Sequence, residues 1–297
     1  MISTHIITGF LGVGKTTTLE HLIRQKPKNE KWAVLLNEFG QTGLDALLLA
    51  CPEVVIKQVP GGCLCCVTQM PFQVMLNQLI RFERPDRIFI EPSGLGHPDE
   101  IVKLLKQKQY EKILNVEAVL TLVDARHLSN ERHRQHEIYR RQLAVADVFI
   151  ANKMDLAEQA DKQQFNDLLA EYKRTGFIIE NGELPISCLQ QNKEHENSFR
   201  IFKKAALNQP FFTQTLMLDK KDIWSQEALA IYFQSLDILR TKGLVLSESG
   251  GLLVNAVMGE VTIKKIEQVE EEPRLEFIDY KPIDIGRIKA QLESLKL

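Results

Sequence analysis

One short segment near the N-terminus constrains the fold of this chain more than any other. Residues Gly9 to Thr16 read Gly-Phe-Leu-Gly-Val-Gly-Lys-Thr, which fits the pattern G-x-x-x-x-G-K-[ST] of a phosphate-binding loop. An apolar run, Ile2 to Ile7, precedes the segment, and a helix-like stretch follows it. This order predicts a strand, a loop and a helix, with the loop wrapped around a phosphate.

Each residue type in the loop has a physical role. The glycines let backbone N–H groups fold around an anion, Lys15 reaches the terminal phosphates, and the Thr16 hydroxyl is a ligand for Mg²⁺. A flexible glycine turn would need neither Lys15 nor Thr16 in register. We therefore expect nucleotide contacts from Gly9, Gly12, Val13, Gly14, Lys15, Thr16 and Thr17.

Length and composition favour a globular chain of two domains. The 297 residues are 44% hydrophobic and 26% charged, and the net charge is −2, so no basic excess predicts a nucleic-acid partner. No apolar run approaches the roughly 18 residues of a membrane span, and the start of the chain does not resemble a signal peptide. We expect a cytoplasmic protein with no membrane partner.

Two later segments carry acids where parallel strands are expected to end. The run Trp32 to Leu36 leads into Glu38, which either ligates a metal or is an acid of a surface loop. The run Arg87 to Ile90 leads into Glu91-Pro92-Ser93-Gly94. Ligands of open α/β sheets bind at this carboxyl edge, so we expect Glu91 to hold Mg²⁺ and Gly94 to approach the γ-phosphate.

Three of the five cysteines lie within four residues. Cys63, Cys65 and Cys66 follow Pro60-Gly61-Gly62, and this crowding does not suit a disulfide framework. Three thiolates provide most of a tetrahedral Zn²⁺ shell, with one position left for a carboxylate, a water or a client's ligand. Sulfur also suits Cu(I). Buried apolar cysteines and a redox pair are the alternatives.

The tetrapeptide Asn152-Lys153-Met154-Asp155 follows the apolar run Val148 to Ala151. An Asp carboxylate accepts hydrogen bonds from the ring N–H and the exocyclic amine of guanine together, whereas adenine lacks this pair of donors. We therefore expect Asn152, Lys153 and Asp155 to bind the base of GTP. Leu184 to Ser187 is predicted to be the last strand of the domain, with Ser187 near the base.

Other polar residues fit two interpretations. Asp124 ends the run Ala118 to Val123, as a strand-tip acid or as a helix N-cap. His127, His133 and His136 lie in a basic stretch. His133 and His136 could share a helix face and bind a metal weakly, but a solvated charged face is the preferred interpretation.

The pattern divides the chain into three parts. Residues 1–189 are expected to form an α/β domain, a P-loop NTPase with a doubly wound, mostly parallel sheet. Residues 190–210 are a linker, and residues 211–297 are a small α+β domain, ferredoxin-like in topology. That domain is predicted to hold a strand from Thr213 to Leu218, a helix around Ser225 to Thr241, three further strands and a final helix.

Taken together, these motifs resemble the CobW-like family of P-loop GTPases, whose members act as metallochaperones. The resemblance rests on Gly9 to Thr16, Asn37 to Gly40, Gly62 to Cys66, Glu91 to Gly94 and Asn152 to Asp155, in that order. It is looser in the distal third, through Leu239 to Gly243 and Arg274 to Ile278.

The resemblance implies a GTPase whose nucleotide state governs the transfer of zinc, or in some members cobalt, to a client apo-metalloprotein. The expected ligands are GTP and GDP, with Mg²⁺ bound together with GTP, and the expected assembly is a monomer or homodimer. The histidine-rich run of many members is absent, with only His195 near the junction, and the C-terminal domain is short.

The expected catalytic residues are Lys15, Thr16 and Glu91, acting on an ordered water. The sequence near Glu91 holds no glutamine to orient that water, so slow intrinsic hydrolysis is expected. Three alternatives remain open: service in cobalt insertion during cobalamin synthesis, an ATP-using P-loop kinase, and a zinc-binding or redox-sensing protein without significant turnover.

Overall fold

The structure, a computed structural model, describes residues 1–37, 54–59, 69–130, 134, 136–190, 212–257, 259–266, 269, 272–279 and 281–297. The chain divides into two compact units, Met1–Ala205 and Ala206–Leu297. The expected linker, 190–210, falls almost entirely outside the described residues. No helix in the described part of the chain combines the length and the apolar character that a bilayer crossing requires.

A seven-stranded sheet forms the centre of the first unit. Its strands are β1 (Ile2–Gly9), β2 (Trp32–Asn37), β3 (Val55–Val59), β4 (Arg87–Pro92), β5 (Leu114–Asp124), β6 (Val148–Asn152) and β7 (Thr175–Ile178). Their order is β3-β2-β4-β1-β5-β6-β7, and each pair of neighbours is parallel. All seven strands therefore end at one edge of the sheet.

Helices cover both faces of this sheet. They are α1 (Lys15–Arg24), α2 (Gln69–Gln78), α3 (Pro98–Leu105), α4 (Glu137–Val145) and α5 (Gln159–Tyr172). Consecutive residues of β1 enter different cores: Ile7 packs with Leu19 of α1, whereas Ile6 packs with Phe72 of α2 and Ile101 of α3. Burial on both faces explains the continuous apolar runs, and it confirms the predicted doubly wound, parallel α/β fold.

The second unit is an antiparallel sheet with two helices. Its elements are β8 (Phe212–Met217), α6 (Gln226–Ser235), β9 (Arg240–Ser247), β10 (Gly250–Val257), β11 (Glu260–Ile266), β12 (Arg274–Asp279) and α7 (Ile285–Glu293). The order is β11-β10-β9-β12-β8. Because β12 lies between β8 and β9, the segment β8-α6-β9 is a split β-α-β unit, as in ferredoxin-like folds, and β10 and β11 extend the sheet beyond β9. The predicted α+β class is confirmed.

Four element predictions need correction. Four strands, β9 to β12, follow α6 where three were predicted, since the partly exposed edge strand β11 lacks a continuous apolar run. Leu184 to Ser187 is not a strand: a 3₁₀ turn spans Ile186–Gln190, since Pro185 has no N–H for a ladder and its carbonyl accepts from Cys188 instead. The last strand is β7, which the sequence analysis missed because this edge strand is only partly buried. In the second unit, α6 ends at Ser235 and strand β9 begins at Arg240, because Thr241 pairs with Phe277 in the sheet.

Candidate nucleotide-binding site

The phosphate loop lies between the end of β1 and the start of α1, as predicted. Gly9, Gly12 and Gly14 have φ values of 145°, 71° and 95°, which a residue with a side chain rarely adopts. At Gly14 a Cβ atom would also lie 2.3 Å from the Asn152 Nδ2 atom. The loop conformation and its contact with β6 therefore both require glycine at this position.

The start of α1 is suited to binding an anion. An α-helix leaves the N–H groups of its first turn without intrahelical acceptors. No side chain among the described residues caps α1, and its first turn contains no acid. A phosphate is the natural acceptor for these N–H groups. Val13 is buried behind the loop, and Thr17 is exposed in the first turn.

Lys15 is almost fully buried in the loop. Its Nζ atom donates a hydrogen bond to the Phe10 carbonyl at 3.0 Å. Gly94 lies directly against the same group, since a Cβ atom built on Gly94 would be 3.0 Å from the Lys15 Nζ atom and 3.0 Å from the Leu11 nitrogen. The structure thus brings Gly94 next to the lysine that was predicted to reach the terminal phosphates.

The two predicted magnesium ligands are in direct contact. Thr16 donates a hydrogen bond from its Oγ1 atom to the Glu91 Oε1 atom at 3.1 Å. Glu91 is buried at the carboxyl end of β4. A hydroxyl and a carboxylate are hard oxygen donors of the kind that Mg²⁺ prefers, so the side chains at this point fit the ion. Their roles as ligands remain predictions.

Asn152 joins the tip of β6 to the phosphate loop. Its side-chain amide donates to the Val13 carbonyl at 3.0 Å and accepts from the Gly182 N–H at 3.0 Å. The side chain is 3% exposed, so these bonds are made away from water. Asn152 therefore positions the loop, and its two side-chain bonds are made to protein groups.

The remaining predicted base contacts lie in short turns beyond β6. Lys153 has a positive φ of 61°, and Asp155 is exposed in the 3₁₀ turn Met154–Leu156. Ser187 is exposed in the turn Ile186–Gln190. The side chain of Gln25, at the end of α1, tethers the start of that turn by accepting from the Ile186 N–H at 2.9 Å. The contact of these residues with guanine remains a prediction.

Asp124 connects this region to β5. It caps the turn Ala125–His127 by accepting from the Arg126 N–H, which is one of its two predicted roles. It also binds the Arg126 guanidinium, at 2.9 and 2.6 Å, and lies 3.4 Å from the Lys153 Nζ atom. Burial raises the pKa of Asp124, but the Arg126 hydrogen bonds and the charges of His127, Lys153 and Arg126 outweigh it, so the pKa is lowered.

The acid at the tip of β5 is therefore an anion that holds Lys153. The sequence shows only that Asp124 and Asn152 each end an apolar run, whereas the structure places the two residues in register on neighbouring strands. Asp124 was not predicted as a site residue.

Gln142, on α4, was also missed. Its Nε2 atom donates to the Gly94 carbonyl at 2.9 Å, although the two residues are 48 positions apart. No local sequence pattern indicates a contact of this range. The structure thus places a glutamine beside the Glu91-Pro92-Ser93-Gly94 segment, although the sequence near Glu91 contains none.

The histidines of the basic stretch have different environments. His136 caps α4, with its Nδ1 atom accepting from the Ile138 N–H at 3.3 Å. Burial above all, with the charges of Arg140 and His97, lowers the pKa of His136 to about 4 against the opposing charge of Glu137. His136 is thus neutral at pH 7 and only partly exposed. His133 lies outside the described residues, so its pairing with His136 is untested.

Glu38, Cys63, Cys65 and Cys66 also lie outside the described residues. Their assignment as a metal site therefore stays a prediction. The one cysteine described as a free thiol is Cys188. It is buried in the turn Ile186–Gln190, and burial raises the pKa of its thiol.

A parallel doubly wound sheet with a lysine-containing phosphate loop after β1 defines a P-loop NTPase. A family model described as "CobW/HypB/UreG, nucleotide-binding domain" matches residues 3–180. The chain therefore belongs to the CobW/HypB/UreG family, and the resemblance drawn from the motifs is confirmed.

Two curated relatives and one solved structure are similar to this chain. The chain is 49% identical over 163 residues to the zinc chaperone YeiR of Escherichia coli, covering 55% of this chain and 50% of the relative. It is 32% identical over 218 residues to the zinc chaperone CobW of Pseudomonas aeruginosa, covering 62% and 58%. The chain thus spans about half the length of these curated relatives. A crystal structure of Zn(II)-bound YjiA GTPase from E. coli matches with 21% identity and a TM-score of 0.49, covering 100% of this chain and 99% of that chain.

Proposed function

We propose that this chain is a GTP-hydrolysing metallochaperone, which binds zinc through Glu38, Cys63, Cys65 and Cys66 and transfers it to a client apo-metalloprotein. The observation that carries the proposal is the assembly at the phosphate loop, where Glu91 contacts Thr16 and Gly94 lies against Lys15. The names of its relatives as zinc chaperones support the choice of metal.

The nucleotide chemistry follows from the loop and the segment after β4. Lys15 and the loop amides stabilise negative charge on the transferred phosphoryl group while a water attacks in line. Magnesium, when bound with GTP, supplies further positive charge at the phosphates, and Thr16 and Glu91 are the side chains that would hold it. We expect slow hydrolysis without metal or a partner.

The zinc site is linked to the nucleotide by its place in the chain. The cysteines lie in sequence between the Glu38 segment and the Glu91 segment. Both flanking segments can therefore move when the γ-phosphate binds or leaves. Moving the site from mostly loaded to mostly empty takes roughly a 10⁴-fold difference in affinity between the two nucleotide states. Differential zinc affinity is therefore the property to measure.

The test is zinc affinity by chelator competition, with the protein loaded with a GTP analogue or with GDP. We expect the two affinities to differ, and we expect replacement of both Cys65 and Cys66 by Ser to abolish tight zinc binding while GTP binding persists. Cys188→Ser is the matched control and retains zinc. Equal affinities in the two nucleotide states would contradict the switch, and loss of GTP binding with zinc would indicate a structural metal instead.

Asp155→Asn tests the choice of base. An Asn side chain offers a donor in place of one carboxylate oxygen, so the variant should lose GTP and gain xanthosine triphosphate, whose base carries a carbonyl in place of the exocyclic amine. Asp167→Asn, on the exposed side of α5, is the matched control and retains GTP. An unchanged GTP preference in Asp155→Asn would show that Asp155 does not select the base, and a preference of the wild-type chain for ATP would favour the alternative of an ATP-using kinase.

A further inference from the structure

Gln142 is a buried polar residue whose side chain contacts the Glu91-Pro92-Ser93-Gly94 segment of the candidate nucleotide-binding site. It is 1% exposed. Its Nε2 atom donates to the Gly94 carbonyl at 2.9 Å, and its own backbone carbonyl accepts from Thr121 of β5 at 3.3 Å. A carbonyl can only accept, so the orientation of the amide is fixed by chemistry: Nε2 must face Gly94. The Oε1 atom has no hydrogen-bond partner in the described part of the chain.

Burying an amide oxygen without a donor lowers stability. Folded proteins seldom keep such a group without a compensating use. A Leu or Met side chain would fill the same space without that cost. The glutamine at this position is therefore explained by the hydrogen bond that its amide donates to the Gly94 carbonyl.

That bond fixes one side of Gly94, and a turn fixes the other. The Ser93 carbonyl accepts from the Gly96 N–H at 2.8 Å, so the peptide before Gly94 is held as well as the peptide after it. Gly94 itself is buried. Its N–H donates to no acceptor among the described residues, although buried backbone N–H groups are nearly always paired.

The groups around Gly94 indicate that its N–H would bind an anion. A Cβ atom on Gly94 would lie 3.0 Å from the Lys15 Nζ atom, so Gly94 lies beside the ammonium group of Lys15 in the phosphate loop. A neighbouring ammonium and a buried N–H both favour an anion. The terminal phosphate of a nucleoside triphosphate is the anion that Lys15 of such a loop reaches.

The helix that carries Gln142 also contacts the loop. The ring of Phe10 lies 5.6 Å from the ring of Tyr139 in an edge-on arrangement and 6.0 Å from the ring of His136. The Phe10 carbonyl accepts from Lys15. Positions 136, 139 and 142 recur every three residues and so lie along one side of α4. One helix therefore contacts both the loop and the segment after β4.

We propose that Gln142 is a positioning residue, which holds the Gly94 carbonyl so that the Gly94 N–H binds the γ-phosphate of GTP. GDP lacks that phosphate, so the contribution of Gln142 is specific to the triphosphate state. The inference rests on the proposed function as a GTPase. It assigns α4 as the element that ties the Glu91-Pro92-Ser93-Gly94 segment to the phosphate loop.

The test compares two nucleotides in one variant. Gln142→Met keeps the length of the side chain and removes the donor. We expect the affinity for a non-hydrolysable GTP analogue to fall about tenfold, which corresponds to about 1.4 kcal/mol, while the affinity for GDP changes less than twofold. Gln164→Met on α5 is the matched control, since Gln164 also has a buried amide oxygen without a partner, and it should leave both affinities unchanged.

Gln142→Glu provides a second test if Gln142→Met folds poorly. In Gln142→Glu the ionised carboxylate cannot donate, whereas the protonated carboxyl can. The ratio of GTP-analogue to GDP affinity should therefore be low at high pH and recover as the pH falls. A role in packing alone would not produce this recovery.

The outcomes separate the two proposals. Equal losses for the GTP analogue and GDP would show that Gln142 only supports the fold, and unchanged affinities for both would show that its hydrogen bond is irrelevant; either result overturns the positioning role. If the wild-type chain binds no guanine nucleotide, the proposed function itself fails before any variant is compared.

Discussion

Gly94 illustrates how much depends on one residue without a side chain. A Cβ atom at this position would lie 2.8 Å from the Leu11 Cδ2 atom, 3.0 Å from the Leu11 nitrogen and 3.0 Å from the Lys15 Nζ atom. The lysine and the leucine side chain can move, but the loop backbone at Leu11 cannot move without reshaping the phosphate site. The glycine is thus required by close approach, since its φ lies outside the left-handed region.

We predict that Gly94→Ala weakens binding of a GTP analogue more than binding of GDP, because it displaces Lys15, which is expected to reach the terminal phosphate. Overpacking of this kind typically costs about 1–3 kcal/mol of stability. Nucleotide titration and thermal unfolding measure the two effects.

Gly286→Ala is the control for this substitution. Its Cβ atom would meet only the Asp284 Oδ1 atom at 3.5 Å, an ordinary contact, and alanine favours the helix by at most about 1 kcal/mol. Wild-type affinity for the GTP analogue in Gly94→Ala would show that the close approach has no functional consequence.

At the level of elements, the phosphate loop is held by β6 as well as by β1 and α1. Asn152 is the link, through its bonds to the Val13 carbonyl and the Gly182 N–H. The loop that follows Gly182 is tied back to α1 by Gln25, whose Nε2 atom donates to the Leu184 carbonyl at 2.9 Å. The buried amide of Asn152 thus joins the segment expected to bind phosphate to the segments expected to bind the base.

We predict that Asn152→Ala weakens GTP and GDP binding equally, because the link does not involve the terminal phosphate. Each buried group left without its partner costs about 1–3 kcal/mol, so thermal stability should fall as well. Calorimetric titration with each nucleotide and a melting curve measure both effects. Asn77→Ala, which removes an exposed amide bonded to Tyr110, is the control, and a selective loss of GTP binding in Asn152→Ala would contradict this account.

Some contacts between elements could be predicted from the sequence, and others could not. The loop between β1 and α1 was predictable because its residues are contiguous, and the meeting of Thr16 with Glu91 followed from the rule that parallel strands end at one edge. Gln142 was not predictable, because its contact with Gly94 depends on how α4 packs against β5. Strand β7 was missed because an edge strand needs no apolar pattern, and the predicted helix after Ser225 ran too long because pairing with β12 outweighs local propensity.

At the scale of the whole molecule, the stability of the first unit depends on pH through a buried histidine. His5 of β1 is buried, and its ring stacks on Phe89 with the centroids 5.2 Å apart. The Arg87 guanidinium lies 2.6 Å from the His5 Nε2 atom. Arginine can only donate, so Nε2 accepts and the imidazole is neutral. Burial first, and the charge of Arg87 second, lower the pKa of His5 from 6.5 to about 3.

The lowered pKa of His5 makes the folded state less stable in acid. Between pH 6.5 and about 3 the unfolded chain binds a proton at residue 5 that the folded chain does not, so stability is complete above pH 6.5 and is lost as the pH falls. At pH 5.5 the loss from His5 alone is about 1.4 kcal/mol relative to pH 7.5. The lowered pKa of His136 adds a loss of the same sign.

We predict that His5→Gln, whose amide oxygen can still accept from Arg87, reduces this pH dependence. Urea unfolding at pH 7.5 and at pH 5.5 should show a difference in unfolding free energy that is smaller by about 1.4 kcal/mol in the variant than in the wild-type chain. Because the chain has two units, the unfolding of the first must be followed by a probe within it. Trp32, which packs on Phe89, provides one through its fluorescence once Trp224 of the second unit is replaced by Phe in both proteins. The same pH dependence in both proteins would mean that the proton is taken up elsewhere, and that His5 titrates alike in the folded and unfolded states.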